Sequence, residues 1–139
     1  MDTKTENIEL IKRLSDANGI SGFEDEVVAI CKTEIADVCD VHEDTLRNLY
    51  FTAKGNTGNR PKVWLDAHTD EVGFIVQYLK NNGTMGFLPV GGWSPSTIPA
   101  SKVRVKTLDG NYISGIVASK PPHFMTAAEQ GQAPKIDQM

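Results

Sequence analysis

An apolar run that leads directly into charged side chains is the feature that most constrains this chain. Residues 62–76 read Lys-Val-Trp-Leu-Asp-Ala-His-Thr-Asp-Glu-Val-Gly-Phe-Ile-Val. The β-branched, aromatic and aliphatic residues at 63–65 follow a turn-forming stretch at 58–61, which predicts a buried strand of a mixed or parallel sheet. Ligands commonly bind just beyond the carboxyl ends of such strands. We therefore expect the chemistry of this chain to begin after residue 65.

His68 and Asp70 lie in that position. On an extended backbone these two side chains project to the same side, and Thr69 projects to the other. Neutral imidazole is a good ligand for zinc or cobalt, and a ligating histidine usually donates its second ring N–H to a carboxylate. A metal ligand with its orienting carboxylate is one interpretation, and a strand-end histidine capped by a neighbouring carboxylate is the other. The spacing alone does not decide between them.

Two amphipathic helices are predicted before this strand. Apolar residues recur at helical spacing between Ile8 and Leu14, and Thr3 with Glu6 forms a candidate capping box. Ser21 repeats the capping signature with Glu24, ahead of a second helix of about fifteen residues. The acidic residues at 24–26 suit the positive end of the helix dipole better than a metal cluster.

The rest of the pattern is β-rich. Short strands are predicted at 40–44 and 49–53, and Asp109-Gly110 is a hairpin signal. Several short runs with no long helix among them indicate a small barrel or sandwich after Asp70. These runs cover 72–79, Met85–Val90, Lys102–Lys106 and 112–118.

Other residue types that often carry function have simpler explanations here. His42 is interpreted as a surface histidine among acidic neighbours, and His123 is a weak second ligand candidate. Cys31 and Cys39 lack the spacing of a zinc set and are predicted to be reduced packing residues. Trp93 is interpreted as a packing or interface anchor rather than a sugar platform.

Composition excludes several classes of partner. The net charge is −4 and there is no basic patch, so neither nucleic acid nor an anionic membrane is an expected partner. The first ten residues are polar, and no apolar run approaches the ~20 residues of a membrane span. Cytoplasmic residence is the expectation.

Four ordered sequence blocks carry a family resemblance. They are Asn-Gly-Ile-Ser-Gly-Phe-Glu at 18–24, Ala-His-Thr-Asp-Glu-Val-Gly-Phe at 67–74, Val-Gly-Gly-Trp at 90–93 and Lys-Pro-Pro-His at 120–123. In order and spacing the chain resembles the dinuclear metallo-aminopeptidases, a group that includes tetrahedral and glutamyl aminopeptidases. Some members of that group carry the label cellulase M or endoglucanase.

The resemblance implies an α/β catalytic domain with an inserted β-barrel dimerisation domain. Residues 1–71 would be the N-terminal part of the catalytic domain, 72–125 an incomplete barrel and 126–139 a tail. The implied enzyme uses two divalent metal ions, zinc or cobalt, and peptide substrates, and it forms homo-oligomers through the barrel. By the same resemblance, His68 binds metal and Asp70 is the catalytic residue that orients it. The remaining ligands and the general base are expected beyond this portion, which is therefore expected to be inactive alone.

Arg47 departs from the family pattern, and Glu71 is left without a catalytic role. Arg47 stands where the family usually has glycine, so the turn there is expected to differ, because arginine takes a positive φ less readily. Glu71 faces opposite to Asp70 on an extended strand and is not assigned as the base.

A glycoside hydrolase of the endoglucanase type, with two carboxylates flanking a cleft, is one alternative function. A non-catalytic oligomerisation or binding piece is the other.

Overall fold

The computed structural model describes residues 3–59, 61–136 and 139 of the 139-residue chain. It divides into two compact units, Met1–Glu71 and Val72–Met139. The helices and strands, in chain order, are α1 (Thr3–Asp16), α2 (Asp25–Ile35), β1 (Cys39–Glu43), β2 (Leu49–Ala53), β3 (Gly73–Leu79), β4 (Met85–Val90), β5 (Lys102–Lys106), β6 (Tyr112–Ile116) and α3 (Ala127–Gln130). Two single-turn 3-10 helices span Pro95–Thr97 and Pro122–Phe124.

Helices α1 and α2 form where the apolar periodicity predicted them. Helix α2 has 11 residues rather than about fifteen. Its first turn buries Val27 and Val28, and Ala17, which directly follows α1, is buried as well. The apolar core of the first unit therefore lies at the start of α2, beside the loop that joins the two helices.

The capping boxes predicted for these helices are not observed. Thr3 is already helical, so the residue that caps α1 lies outside the described residues. The N-cap of α2 is Glu24, and no side chain caps that end. The Ser21 hydroxyl bonds instead to a residue distant in the sequence. The prediction of a box at Ser21 and Glu24 was wrong because that tertiary contact outcompetes local capping.

Strands β1 and β2 form an antiparallel hairpin in which Val41 pairs with Phe51. Arg47, in the connecting turn, adopts a φ of 70°. Arginine therefore takes a positive φ at this position although its Cβ makes that conformation costly. Its guanidinium pairs with Asp25 at 2.6 Å and with Glu43 at 3.0 Å. These contacts favour a backbone conformation that costs a non-glycine residue energy.

The strand predicted at 63–65 does not form. Residues 61–70 have no regular secondary structure, and Val63, Trp64 and Leu65 are 83%, 75% and 92% exposed. An isolated parallel bridge between Ile20 and Glu71 follows directly after them. A strand requires a neighbour that accepts and donates ladder hydrogen bonds. The described residues provide no such neighbour for 61–70.

The second unit contains two separate antiparallel hairpins, β3–β4 and β5–β6. The four β-rich runs were thus predicted correctly, but among the described residues these strands form two-stranded sheets and no closed barrel. Phe74 stacks on Trp93 with ring centroids 4.6 Å apart, and the Trp93 ring nitrogen donates to the Gly73 carbonyl at 2.9 Å. Trp93 is therefore a packing residue, as predicted. Ile98 is fully buried in this unit.

The segment from Thr126, which the sequence predicted only as a tail, contains helix α3. The Thr126 hydroxyl accepts from the Glu129 amide at 3.3 Å, and the Glu129 carboxylate accepts from the Thr126 amide at 2.6 Å. This reciprocal capping box is the local signal that the sequence prediction missed. Across the described ranges, no helix is both long and apolar enough to cross a membrane.

Candidate metal-binding site

The imidazole of His68 contacts Asp70 through one ring nitrogen. Nδ1 lies 2.8 Å from the backbone carbonyl oxygen of Asp70 and 3.2 Å from its carboxylate oxygen Oδ1. Both of these oxygens can only accept, so Nδ1 carries the proton. In the neutral ring the lone pair is then on Nε2. The side chain is 85% exposed, which leaves Nε2 accessible to a ligand from solvent.

The carboxylate of Asp70 is held from its other side by Ser21. The Ser21 hydroxyl donates to Oδ2 at 2.5 Å, a length typical of hydrogen bonds to an ionised oxygen. This bond is the main reason why the pKa of Asp70 lies below its ordinary value, and the nearby His68 lowers it further. Asp70 is therefore an anion with one oxygen on Ser21 and the other near His68.

Glu71 attaches the same segment to the loop after α1. Its backbone N–H donates to the Gly19 carbonyl at 2.8 Å, and its Oε1 accepts from the Gly19 amide at 3.0 Å. A Cβ on Gly19 would come within 2.7 Å of a Val27 methyl group. This close approach requires glycine at position 19. The two hydrogen bonds between Gly19 and Glu71 hold residues 68–71 near the start of α2.

The acidic residues at 24–26 all have polar partners within the first unit. Glu26 accepts from the Asn18 backbone amide at 2.9 Å and from the Asn18 side chain. Glu24 accepts from the Gly22 amide at 2.7 Å, and Asp25 accepts from Arg47. The bonds of Glu24 and Glu26 shape the loop that carries Ser21, and the bond of Asp25 connects α2 to the turn at Arg47.

The other residues considered from the sequence have local contacts of their own. The His42 ring lies on β1, with its centroid 6.0 Å from that of Tyr50. His123 belongs to the second unit and contacts Phe124. Cys31 and Cys39 are free thiols, as predicted. Within the described part of the chain, no group of three or more His, Cys, Asp or Glu side chains could hold a metal ion.

The donor set fits one ligand of a metal centre. An exposed imidazole whose Nδ1 donates to a backbone carbonyl beside a carboxylate, and whose Nε2 is available, can bind zinc-like ions through Nε2. A catalytic zinc ion requires about three protein ligands. His68 therefore has the geometry of a single metal ligand, and the described residues do not complete a metal site around it.

Sequence reasoning missed Ser21 as a partner of Asp70 and Gly19 as a partner of Glu71. These residues are separated by 49 and 52 positions. No local pattern links them. The block at 18–24 drew notice only through the family resemblance, which assigned these residues no role.

Comparisons with known proteins identify the family of this chain. The chain is 37% identical over 134 residues to the lysyl aminopeptidase of Pyrococcus furiosus, covering 93% of this chain and 36% of that protein. It is 31% identical over 127 residues to the glutamyl aminopeptidase of Lactococcus lactis, covering 91% of this chain and 35% of that protein. The model of the M42 glutamyl aminopeptidase family matches residues 47–139, and the chain belongs to this family.

Solved structures of aminopeptidases also resemble this chain. A TET aminopeptidase from a marine sediment archaeon superimposes with a TM-score of 0.87 at 38% identity, over 99% of this chain and 38% of that one. The Pyrococcus horikoshii TET1 peptidase, which can assemble into a tetrahedron or a large octahedral shell, gives 0.75 at 26% identity over 93% and 38%. An endoglucanase from Thermotoga maritima gives 0.65 at 32% identity over 88% and 40%. The chain thus spans little more than a third of its relatives.

Proposed function

We propose that this chain is part of a metal-dependent aminopeptidase that removes N-terminal residues from peptides. The observation that carries the proposal is the orientation of His68, whose Nδ1–H points to Asp70 and leaves Nε2 available, in a chain of the M42 glutamyl aminopeptidase family. Two divalent ions, zinc or cobalt, would supply Lewis acidity to the scissile carbonyl and make a water more acidic.

Each nearby side chain has a distinct part in this proposal. His68 would hold one ion through the Nε2 lone pair, and Asp70 orients the imidazole by accepting from Nδ1. Glu71 accepts from the Gly19 amide and anchors the segment, so it is not assigned as the general base.

The chain by itself is expected to have no peptidase activity. Two-metal chemistry holds its ions about 3.5–4 Å apart with several protein ligands for each. His68 is the one ligand that we assign among the described residues. Chelator-sensitive release of the aniline from an aminoacyl-anilide by the purified chain would contradict this expectation.

The experiment that tests the function is a chimaera. This chain replaces the matching N-terminal segment of the Pyrococcus furiosus lysyl aminopeptidase, and hydrolysis of an aminoacyl-anilide and of soluble cellulose is measured with and without chelator. We expect hydrolysis of the anilide alone, abolished by chelator. Hydrolysis of cellulose alone would favour the glycosidase that the label of the Thermotoga maritima protein suggests. A folded chimaera that hydrolyses neither substrate would favour a non-catalytic binding role.

Residues 72–125 are proposed to be part of a β-barrel dimerisation domain. Hairpin β3–β4 exposes apolar side chains, among them Ile75, Leu79 and Leu88, which suits an interface between copies. The assemblies formed by the Pyrococcus horikoshii TET1 peptidase support self-association. Deleting residues 72–120 should abolish dimers in sedimentation, and an unchanged sedimentation coefficient would contradict the assignment.

A further inference from the structure

The dipeptide Asn-Gly occurs twice in the sequence, at 18–19 and at 82–83. In such a step the glycine nitrogen can attack the side-chain amide of the preceding asparagine, because glycine has no Cβ to hinder the approach. The structure places the two steps in different surroundings. Asn18 is half-buried and Gly19 is buried, whereas Asn82 and Gly83 are both exposed. The same reactive pair is thus present twice, with different access to solvent.

Both reacting groups are held in place at the first step. The side-chain nitrogen of Asn18 donates to Oε1 of Glu26 at 3.0 Å and to Oε2 at 2.9 Å. The Gly19 amide donates to Oε1 of Glu71 at 3.0 Å. Loss of the Gly19 amide proton would place a negative charge against a carboxylate, and a like charge nearby disfavours that ionisation. Reaction at Asn18 therefore requires that strong, charge-assisted hydrogen bonds be broken.

The second step lies in the turn between β3 and β4. Gly83 has a φ of 83°, its amide donates to the neutral carbonyl of Lys80 at 3.0 Å, and a Cβ there would meet nothing within 4 Å. The side-chain oxygen of Asn82 accepts from the Thr84 amide at 3.1 Å and from the Thr84 hydroxyl at 2.8 Å. Attack on the side-chain carbonyl carbon places negative charge on this oxygen, so both donors stabilise the charge that develops.

We infer that Asn82 is a site of spontaneous deamidation in the folded chain, and that Glu26 and Glu71 protect Asn18 from the same reaction. The Gly83 nitrogen loses its proton to hydroxide and bonds to Cγ of Asn82. The Cγ–Nδ2 bond breaks, and Nδ2 takes a proton from water and leaves as ammonia. Water then opens the succinimide ring, giving aspartate where the Cγ–N bond breaks and isoaspartate where the backbone C–N bond breaks. Either product adds one negative charge to the β3–β4 hairpin, whatever the chain catalyses.

The experiment follows both asparagines in one sample. The purified chain is kept at mildly alkaline pH, either folded or in guanidinium chloride, and peptide mapping by mass spectrometry gives the deamidation rate at each site. In the folded chain Asn82 should react at least about tenfold faster than Asn18, because one hydrogen bond to a charged group contributes about that factor. In denaturant the two rates should be similar. Equal rates in the folded chain would overturn the inference. Slow reaction of Asn18 in denaturant would also overturn it, since the protection would then not come from the fold.

A single substitution tests the protecting contact. Glu71→Gln should raise the rate at Asn18 about fivefold, the difference between hydrogen bonds to charged and to neutral acceptors. Asn82 in the same sample is the internal reference and should keep its rate. Glu9→Gln is the matched control, because it makes the same exchange at an exposed carboxylate on α1 that bonds Lys12. An unchanged Asn18 rate in Glu71→Gln, or an equal rise in Glu9→Gln, would overturn the protective role of Glu71.

Discussion

Gly19 and Glu71 are joined by two hydrogen bonds, one from the Glu71 amide to the Gly19 carbonyl at 2.8 Å and one from the Gly19 amide to the Glu71 carboxylate at 3.0 Å. This pair connects the loop after α1 to the segment that carries His68 and Asp70. The orientation of the candidate metal ligand therefore depends on packing at the start of α2. Substitutions on either side of this contact test that dependence.

Gly19→Ala should destabilise the chain. The new Cβ would lie 2.7 Å from a methyl group of buried Val27, and overpacking of this kind costs about 1–3 kcal/mol. The loss of unfolded-state entropy offsets about 0.4–1 kcal/mol of that cost. Urea unfolding measures the difference. Gly92→Ala is the control, since a Cβ there meets nothing within 4 Å, and equal midpoints for the two variants would contradict the prediction.

His68→Ala and Asp70→Asn should both impair the chimaera with the lysyl aminopeptidase. The first removes a metal ligand, so activity should fall to background. The second weakens the orientation of the imidazole and should cost about 10–100-fold in kcat/KM. His42→Ala should leave activity unchanged, because that ring lies against Tyr50 on the β1–β2 hairpin. Wild-type turnover by the His68 and Asp70 variants, at metal concentrations near the dissociation constant, would refute the assignment.

Arg47→Gly should be more stable than Arg47→Ala by about 1 kcal/mol, because a left-handed backbone costs a residue with a Cβ roughly 1–2 kcal/mol. Both variants lose the exposed ion pairs to Asp25 and Glu43, so their difference reports the φ of 70° less the greater unfolded-state entropy of glycine. Thermal unfolding provides the comparison. If the alanine variant were as stable as the glycine variant, the turn would not require a positive φ at 47.

Glu129 should contribute to the stability of α3 in a pH-dependent manner. Lys120, bonded at 2.8 Å, and the Thr126 amide lower the pKa of Glu129 from 4.5 to about 2. A carboxylate whose pKa is lower in the folded state stabilises the fold at pH values above its ordinary pKa. That contribution is lost as the pH falls from 4.5 to about 2. The ¹³C shift of the Glu129 carboxyl group should titrate in that window. Lys120→Met should move the midpoint upward, and a wild-type midpoint near 4.5 would contradict the capping box.

Several elements were predictable because their determinants lie within a few residues of one another. Both N-terminal helices follow apolar periodicity, and the β5–β6 hairpin follows Asp109-Gly110, where Gly110 takes a φ of 85°. The contact between His68 and Asp70 belongs to the same class, since only Thr69 separates them. The family resemblance also depended on short blocks that can be recognised one at a time. Local patterns of this kind are specified by the order of residues alone.

Tertiary structure alone decided the partners of those local elements. Ser21 has the sequence of a helix cap, yet its hydroxyl bonds Asp70, and Glu71 faces Gly19 across 52 positions. Val63, Trp64 and Leu65 have the composition of a buried strand but stay exposed, because a strand forms only with a neighbour to complete its hydrogen bonds. The residue order thus placed the candidate ligand His68 beside Asp70, and folding brought Ser21 and Gly19 against this segment. The physical reason is that hydrogen bonds between distant segments depend on chain packing, which local periodicity does not contain.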